Sequence, residues 1–285
     1  MEYNLTVTAI ITAYNRPDYL KEAIESVLKQ NYVISEIIII DDCSIENLKD
    51  VVDSFKEKKI IYIKNKINSG ANYCRNLGIK YARSNYIAFL DDDDIWDTDK
   101  TGIQIDCLVK NNLNISLCNY SKIGKNIKIK KSKKGIINED QLKKGNLFCG
   151  ASGILSSRKV MQENNFDESL PCGQDWDLFV RLIKNNKIYY IDSPLFQYRV
   201  SESNSITANA KKISINDYSY RLKAIEKHKV WLGKYYNSRI SDYILTNLAK
   251  RDKIYPWIKF SIKKAGLVTT MYILAKKIVL KLFNN

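Results

Sequence analysis

The chain has 285 residues, 45% of them apolar, which suffices for one large domain or one domain with an extension. No apolar run reaches the roughly 18 residues of a membrane span, and six scattered cysteines with no CxxC pair read as reduced cytosolic thiols. The net charge of +15 is lopsided: residues 1–205 carry 29 Lys+Arg and 27 Asp+Glu, residues 206–285 carry 17 and 4, so two parts with different partners are expected.

The opening MEYNLTVTAIIT lacks a basic n-region and a small-residue cleavage site, so no signal peptide is expected. Leu5–Thr12 is an apolar, β-branched strand. Pro17–Gln30 has helical spacing, with proline early as a first helical turn prefers. Glu36–Asp41 is a second buried strand, Glu46–Glu57 a helix, Ile60–Lys64 a short strand, Gly70–Arg83 a helix and Tyr86–Asp91 a fourth strand. Strands alternating with helices predict an α/β fold whose mostly parallel sheet is covered on both faces.

After Trp96 the regularity fades. Asn114–Tyr120 and Ala151–Ser156 are candidate strands. Residues 122–144, studded with lysines, read as a hairpin and mobile loop. Gln174–Lys184 is a helix with Trp176, Phe179, Val180 and Ile183 on one side. Ile188–Ile191 and Leu195–Val200 close the series as strands, and from about residue 206 the chain is helical and basic, without an internal repeat.

Ligands of an open parallel sheet bind beyond the carboxyl ends of its strands. There the chain delivers Thr12–Arg16, then Asp41–Ser44, then Asn68–Gly70 leading to Arg75, then Asp91–Asp94. The first glycine is Gly70, so the glycine-rich turn of a dinucleotide site is missing, and no P-loop is present. Four consecutive aspartates suit a hard divalent cation, which prefers carboxylate oxygens. On an extended backbone Asp91 and Asp93 would face one site, with Asp94 turned away. Mg²⁺ or Mn²⁺ held this way generally also binds substrate phosphates, and it offsets charge growing on a diphosphate leaving group.

Four stretches in order, TAYNRPDYLKEAIESVLKQ, IIIIDDCSIENLKDVV, NSGANYCRNLGIKYARSNYIAFLDDDDIW and FDESLPCGQDWDLFVRL, resemble glycosyltransferase family 2, inverting enzymes of the GT-A (nucleotide-diphospho-sugar transferase) fold, here of the kind that builds bacterial surface polysaccharide. The likeness spans roughly residues 5–200. It implies that Thr12 and Tyr14 line the nucleoside pocket, that Asp42 accepts a hydrogen bond from the base, commonly uracil, and that Arg16, Arg75 and Asp92 sit by the nucleotide. It implies Asp91 and Asp93 as the outer members of a DxD metal motif, with Mg²⁺ or Mn²⁺, and Asp175 as the catalytic base. Gln174 stands where many relatives have Glu. The histidine that relatives often carry after the Tyr198-Arg199 pair is absent, which leaves Arg199 or Ser203 in its place; the only histidine is His228. The donor implied is a UDP-sugar and the acceptor a glycan or lipid-linked saccharide.

Residues 258–283 mix apolar residues with lysines at 259, 263, 264, 276, 277 and 281, and Leu267, Met271, Leu274 and Ile278 follow helical spacing. A basic amphipathic helix of this kind is expected on anionic lipid, the alternative being a helix packed on the catalytic domain with a solvated lysine face. The expected division is a GT-A catalytic domain over 1–205 and a basic helical extension over 206–285. The expected location is the cytoplasm, peripheral on the inner face of the cytoplasmic membrane. Three rivals fit less well. A nucleic-acid binder leaves the neutral first part unexplained, so no nucleic-acid partner is expected. A nucleotidyltransferase or sugar-nucleotide pyrophosphorylase would want a glycine-rich basic loop where Asn15-Arg-Pro-Asp stands. A haloacid-dehalogenase-type phosphatase carries its aspartates after the first strand, not the fourth.

Overall fold

The computed structural model describes residues 5–123, 133–200, 214–246, 248 and 253–283. Its centre is set by four apolar segments: β1 (Val7–Ala13), β2 (Glu36–Asp41), β3 (Ile60–Lys64) and β4 (Tyr86–Asp91), connected through α1 (Pro17–Leu28), α2 (Leu48–Ser54) and α3 (Ala71–Tyr81). All seven residues of β1 are buried, as a parallel strand covered on both faces requires. β1 pairs in parallel with β2 on one side and β4 on the other, matching Ile10 to Ile38 and to Phe89. α1 starts on Pro17 and turns Leu20, Ala23, Ile24 and Val27 inward. α3 lies so close to β1 that a Cβ on Gly78 would collide with Ile10 Cγ2, so only glycine fits there.

The second half is mixed. It comprises β5 (Ile95–Trp96), α4 (Lys100–Asn111), β6 (Ile115–Lys122), β7 (Gly135–Ile136), α5 (Glu139–Lys143), β8 (Ile154–Ser157), α6 (Arg158–Glu163), α7 (Gln174–Leu182) and β9 (Ile188–Tyr198). The sheet runs β3-β2-β1-β4-β8-β6-β9-β5, with β7 added on β9. β8 is antiparallel to β4 and β6, while β9 is parallel to β6.

Three sequence expectations change here, and one helix lacks a counterpart in the sequence pattern. The two closing strands are one strand, β9, which runs through Asp192-Ser193-Pro194 because its register against β6 shifts around Asn119. Proline, lacking an N–H, is tolerated at such an irregularity. The strand expected from Ala151 begins only at Ile154, after a 3₁₀ turn over Ala151–Gly153. Of the lysine-studded hairpin, residues 124–132 lie outside the described residues; the rest gives the short β7 and α5. α4 has no clear sequence signature because its buried face includes Lys100, Thr101 and Gln104 beside Ile105 and Leu108, which breaks the apolar period.

Lys100 is fully buried; its Nζ donates to Gln104 Oε1 at 2.7 Å and lies 4.2 Å from the centre of the Trp96 ring. Burial lowers its pKa to about 8. Between that value and the usual 10.5 the unfolded chain holds a proton that the folded chain does not, so folding stability climbs with pH across the window and falls again as pH drops through 8. Lys100→Met lacks this group. Urea titrations should therefore show the parent gaining about 3 kcal/mol relative to the variant between pH 8 and 10.5; parallel pH profiles for the two proteins would refute a neutralised Lys100.

The chain divides into two units: Met1–Leu142 with Asn146–Glu168 and Leu178–Val200, and a second made of Lys143–Gly145, Ser169–Asp177 and Ser201–Asn285. In the second unit, helices Tyr236–Leu245, Tyr255–Ala265 and Leu267–Phe283 pack together. Among the described residues, no helix is long and apolar enough to cross a membrane.

Candidate active site

Register brings the polar ends of three strands to one edge. Ala13 pairs with Asp41 and Thr12 with Asp91. One residue further, the Asp42 and Asp92 amides still donate to Ala13 O and Thr12 O, at 2.9 and 3.1 Å. Thr12–Arg16, Asp41–Ser44 and Asp91–Asp94 are therefore neighbours because of strand pairing alone. The two turns beside them are held in left-handed backbone, at Asn15 (φ 52°) and Cys43 (φ 64°). Asn15 tolerates this by accepting the Ile45 amide on its side chain at 2.7 Å; a β-substituted Cys43 there is uncommon.

The four aspartates divide into two pairs. Their backbone does not continue as a strand. The Asp94 amide donates to Asp91 O at 3.1 Å, closing a tight turn, so the extended backbone ends at Asp91. Asp92 is buried and accepts the Tyr14 amide at 2.9 Å and Arg16 Nη1 at 3.0 Å. Burial pushes its carboxyl up to about 7 against the pull of Arg16. Asp94 is buried too, with Oδ2 accepting Ser152 Oγ–H at 2.6 Å and Oδ1 the Arg199 amide at 3.2 Å. Burial, then the charges of Asp91 and Asp93, hold it well above the carboxylate range. These two fasten the turn.

Asp91 and Asp93 keep more surface, 33% and 15% of their side chains. Asp91 Oδ1 accepts Arg75 Nη2 at 2.6 Å and Thr12 Oγ1 at 3.3 Å. Asp93 Oδ2 accepts Arg16 Nη1 at 2.8 Å, and burial followed by the Asp91 charge raises its pKa. Each has a second oxygen outside these ion pairs. Among the described residues, no group of three or more His, Cys, Asp or Glu side chains is arranged to hold a metal by itself. The arrangement fits an ion that takes one or two carboxylates and completes its shell with phosphate oxygens and water, the habit of Mg²⁺.

Asp42 is nearly enclosed. Its Oδ1 accepts Asn65 Nδ2 and the Ser69 amide, at 2.9 and 2.8 Å, and its Oδ2 the Gly70 amide at 2.7 Å. These bonds take three of a carboxylate's roughly four acceptor positions, and the buried Cys74 thiol also hydrogen-bonds to Asp42. Gly70, at φ 86°, allows the loop to turn its amide onto Asp42 and still start α3. α3 carries Arg75, which is buried, stacked 5.2 Å from the Phe166 ring centre and aimed at Asp91. Tyr14 contributes its amide to Asp92 while its ring is 45% exposed.

Two participants carry no sequence signal of their own. Ser152, in a run of small residues, accepts the Asp91 amide at 3.1 Å while donating to Asp94. Glu22 pairs with Arg199, whose Nε also donates to Asp93 O at 3.1 Å and whose guanidinium stacks on Tyr19. Arg199 thus closes the aspartate turn; Ser203 lies outside the described residues.

Asp175 belongs to the second unit, in the first turn of α7, with Oδ1 shut off from solvent. The next residues make a buried cluster. Asp177 Oδ1 lies 2.7 Å from Lys227 Nζ and 2.7 Å from His228 Nε2, and Trp176 meets the rings of His228 and Trp231 edge-on.

The sheet, with acidic and cationic groups at the carboxyl edge of its parallel half, has the architecture of the GT-A fold, and ligands of such sheets bind at that edge. Residues 8–164 match the glycosyl transferase family 2 pattern, and the chain belongs to that family. An uncharacterized glycosyltransferase of Rickettsia felis is 34% identical over 222 residues, 75% of this chain and 36% of the relative. The chain thus spans about a third of the length of that relative. WfgD of Escherichia coli, a UDP-Glc:alpha-D-GlcNAc-diphosphoundecaprenol beta-1,3-glucosyltransferase, is 33% identical over 210 residues, 72% of this chain and 81% of WfgD. The crystal structure of S. aureus TarS 1–349 in complex with UDP-GlcNAc superposes with a TM-score of 0.65 at 16% identity, covering 91% of this chain and 71% of that one.

Proposed function

We propose that this chain is an inverting glycosyltransferase that moves a sugar from a UDP-sugar to a hydroxyl of a glycan or lipid-linked saccharide. One observation carries the reading: the two least buried aspartates of the turn stand at the carboxyl edge of the sheet, backed by Arg16 and Arg75. WfgD's own donor and acceptor, and the UDP-GlcNAc of TarS, support the substrate classes. We assign residues 1–205 as the catalytic domain and 206–285 as a basic extension at the inner face of the cytoplasmic membrane.

In this reading Thr12 and Tyr14 flank the nucleoside, and Asp42 accepts a hydrogen bond from an N–H of the base. Arg16, Arg75 and Asp92 fix the turn and the charge around the diphosphate. Asp93 and Asp91 would hold Mg²⁺ or Mn²⁺, which would supply Lewis-acid stabilisation of the leaving diphosphate. Asp175 takes the proton of the acceptor hydroxyl as its oxygen attacks the anomeric carbon. The bond to the diphosphate breaks on the opposite face, so the configuration inverts.

The test is a thermal-shift and hydrolysis screen of nucleotide sugars with and without Mn²⁺, followed by NMR of the product anomer. A UDP-sugar should stabilise the protein only with the ion, and Asp93→Ala should raise the Mn²⁺ needed by at least about tenfold. Stabilisation by no nucleotide sugar, equal response without the ion, or a retained anomer would each overturn the corresponding step.

A further inference from the structure

The helix Leu267–Phe283 uses one side for packing. Thr270 and Ile273 are buried, and Lys277 Nζ reaches Asp242 at 2.8 Å on helix Tyr236–Leu245. The other side is bare. Leu267, Val268, Met271, Tyr272, Ile278 and Val279 are 49–83% exposed, and Ala275 is exposed between them. Steps of one, three and four residues put all seven on one stripe of the helix. A single exposed leucine needs no explanation; a continuous apolar stripe marks a binding face.

Charge says what the face binds. Lys276 stands exposed on this helix and Lys263 on the helix Tyr255–Ala265 before it, and residues 206–285 carry 17 Lys+Arg against 4 Asp+Glu. A second copy meeting this stripe symmetrically would bring the same excess positive charge against itself. An anionic bilayer offers both the apolar layer and the counter-charge. We infer that the stripe lies in the interfacial layer of an anionic bilayer, the helix parallel to its plane, with Val268, Met271 and Tyr272 among the acyl chains and the lysines at the phosphates. This deepens the membrane partner proposed above and rests on that reading only for the position of the acceptor.

The full chain is sedimented with vesicles of phosphatidylcholine plus phosphatidylglycerol and with pure phosphatidylcholine. Binding to the anionic vesicles, weakened by salt, is expected. Val268→Glu and Tyr272→Glu should each lower partitioning by about tenfold or more, since a charge is strongly excluded from the apolar layer. Lys276→Gln should have a smaller effect, visible at low salt. Melting temperature and Mn²⁺-dependent donor hydrolysis without vesicles are measured on the same variants and should match the parent, which separates lost binding from lost folding.

Three results overturn the inference: a parent that ignores anionic vesicles, glutamate variants that bind as well as the parent, or a dimer by light scattering that the glutamate variants disperse. Vesicle binding without donor hydrolysis would sink the proposed reaction and leave the membrane face standing.

Discussion

Asp175→Asn is expected to leave UDP-sugar binding intact and to lower the rate of transfer by about 10²–10⁴-fold, the usual contribution of a positioned general base. Asparagine keeps the size of the side chain, and the Asp177 amide keeps its bond to Gly173 O in the first turn of α7. What it removes is a group able to take a proton. The loss should therefore fall on kcat and kcat/KM together, as for an interaction made only in the transition state. Donor affinity by calorimetry and transfer by single-turnover assay separate the two quantities. Transfer within about threefold of the parent would strip Asp175 of the role; equal loss of donor affinity would make it a binding residue instead.

The second large effect is on stability. Asp177→Ala should lower unfolding free energy by about 3 kcal/mol, the low end of the cost of breaking a buried ion pair. Asp177 is fully buried, and its loss strands His228, itself 5% exposed, and Lys227. The low end applies because Lys227 keeps 34% of its side chain in solvent and can turn outward. Asp177→Asn, which can still bond His228, should fall between parent and alanine. The near-ultraviolet dichroism of Trp176 and Trp231, both edge-on to His228, reports the same loss locally. An alanine variant as stable as the parent would mean that the pair roughly cancels its own desolvation.

The first hundred residues were legible because each element there obeys one simple pattern. β1, β2 and β4 are unbroken apolar runs, and α1 opens on a proline. The convergence of polar strand ends followed from parallel pairing. Beyond Trp96 the same rules fail for identifiable reasons. α4 turns Lys100 and Gln104 inward, where Gln104 Nε2 donates to Gly153 O at 3.0 Å. β9 crosses a proline. The aspartates were read as a cation site from their number, yet half of them serve the turn itself. That split depends on Ser152 and Arg199, which are distant in sequence. The buried Asp177–His228 pair was equally hidden: His228 reads as a lone histidine until helix packing in the second unit places it.

The aspartate turn also has a history within each molecule. A ribosome delivers Asp94 long before Arg199, whose amide closes over it from 105 residues downstream. At ordinary translation speeds that interval is on the order of ten seconds. Until it passes, four carboxylates stand on an otherwise pairable nascent sheet without their last fastening. Chains cut short before residue 199 should therefore emerge with the aspartate turn lacking the bonds that Arg199 makes to Asp93 and Asp94.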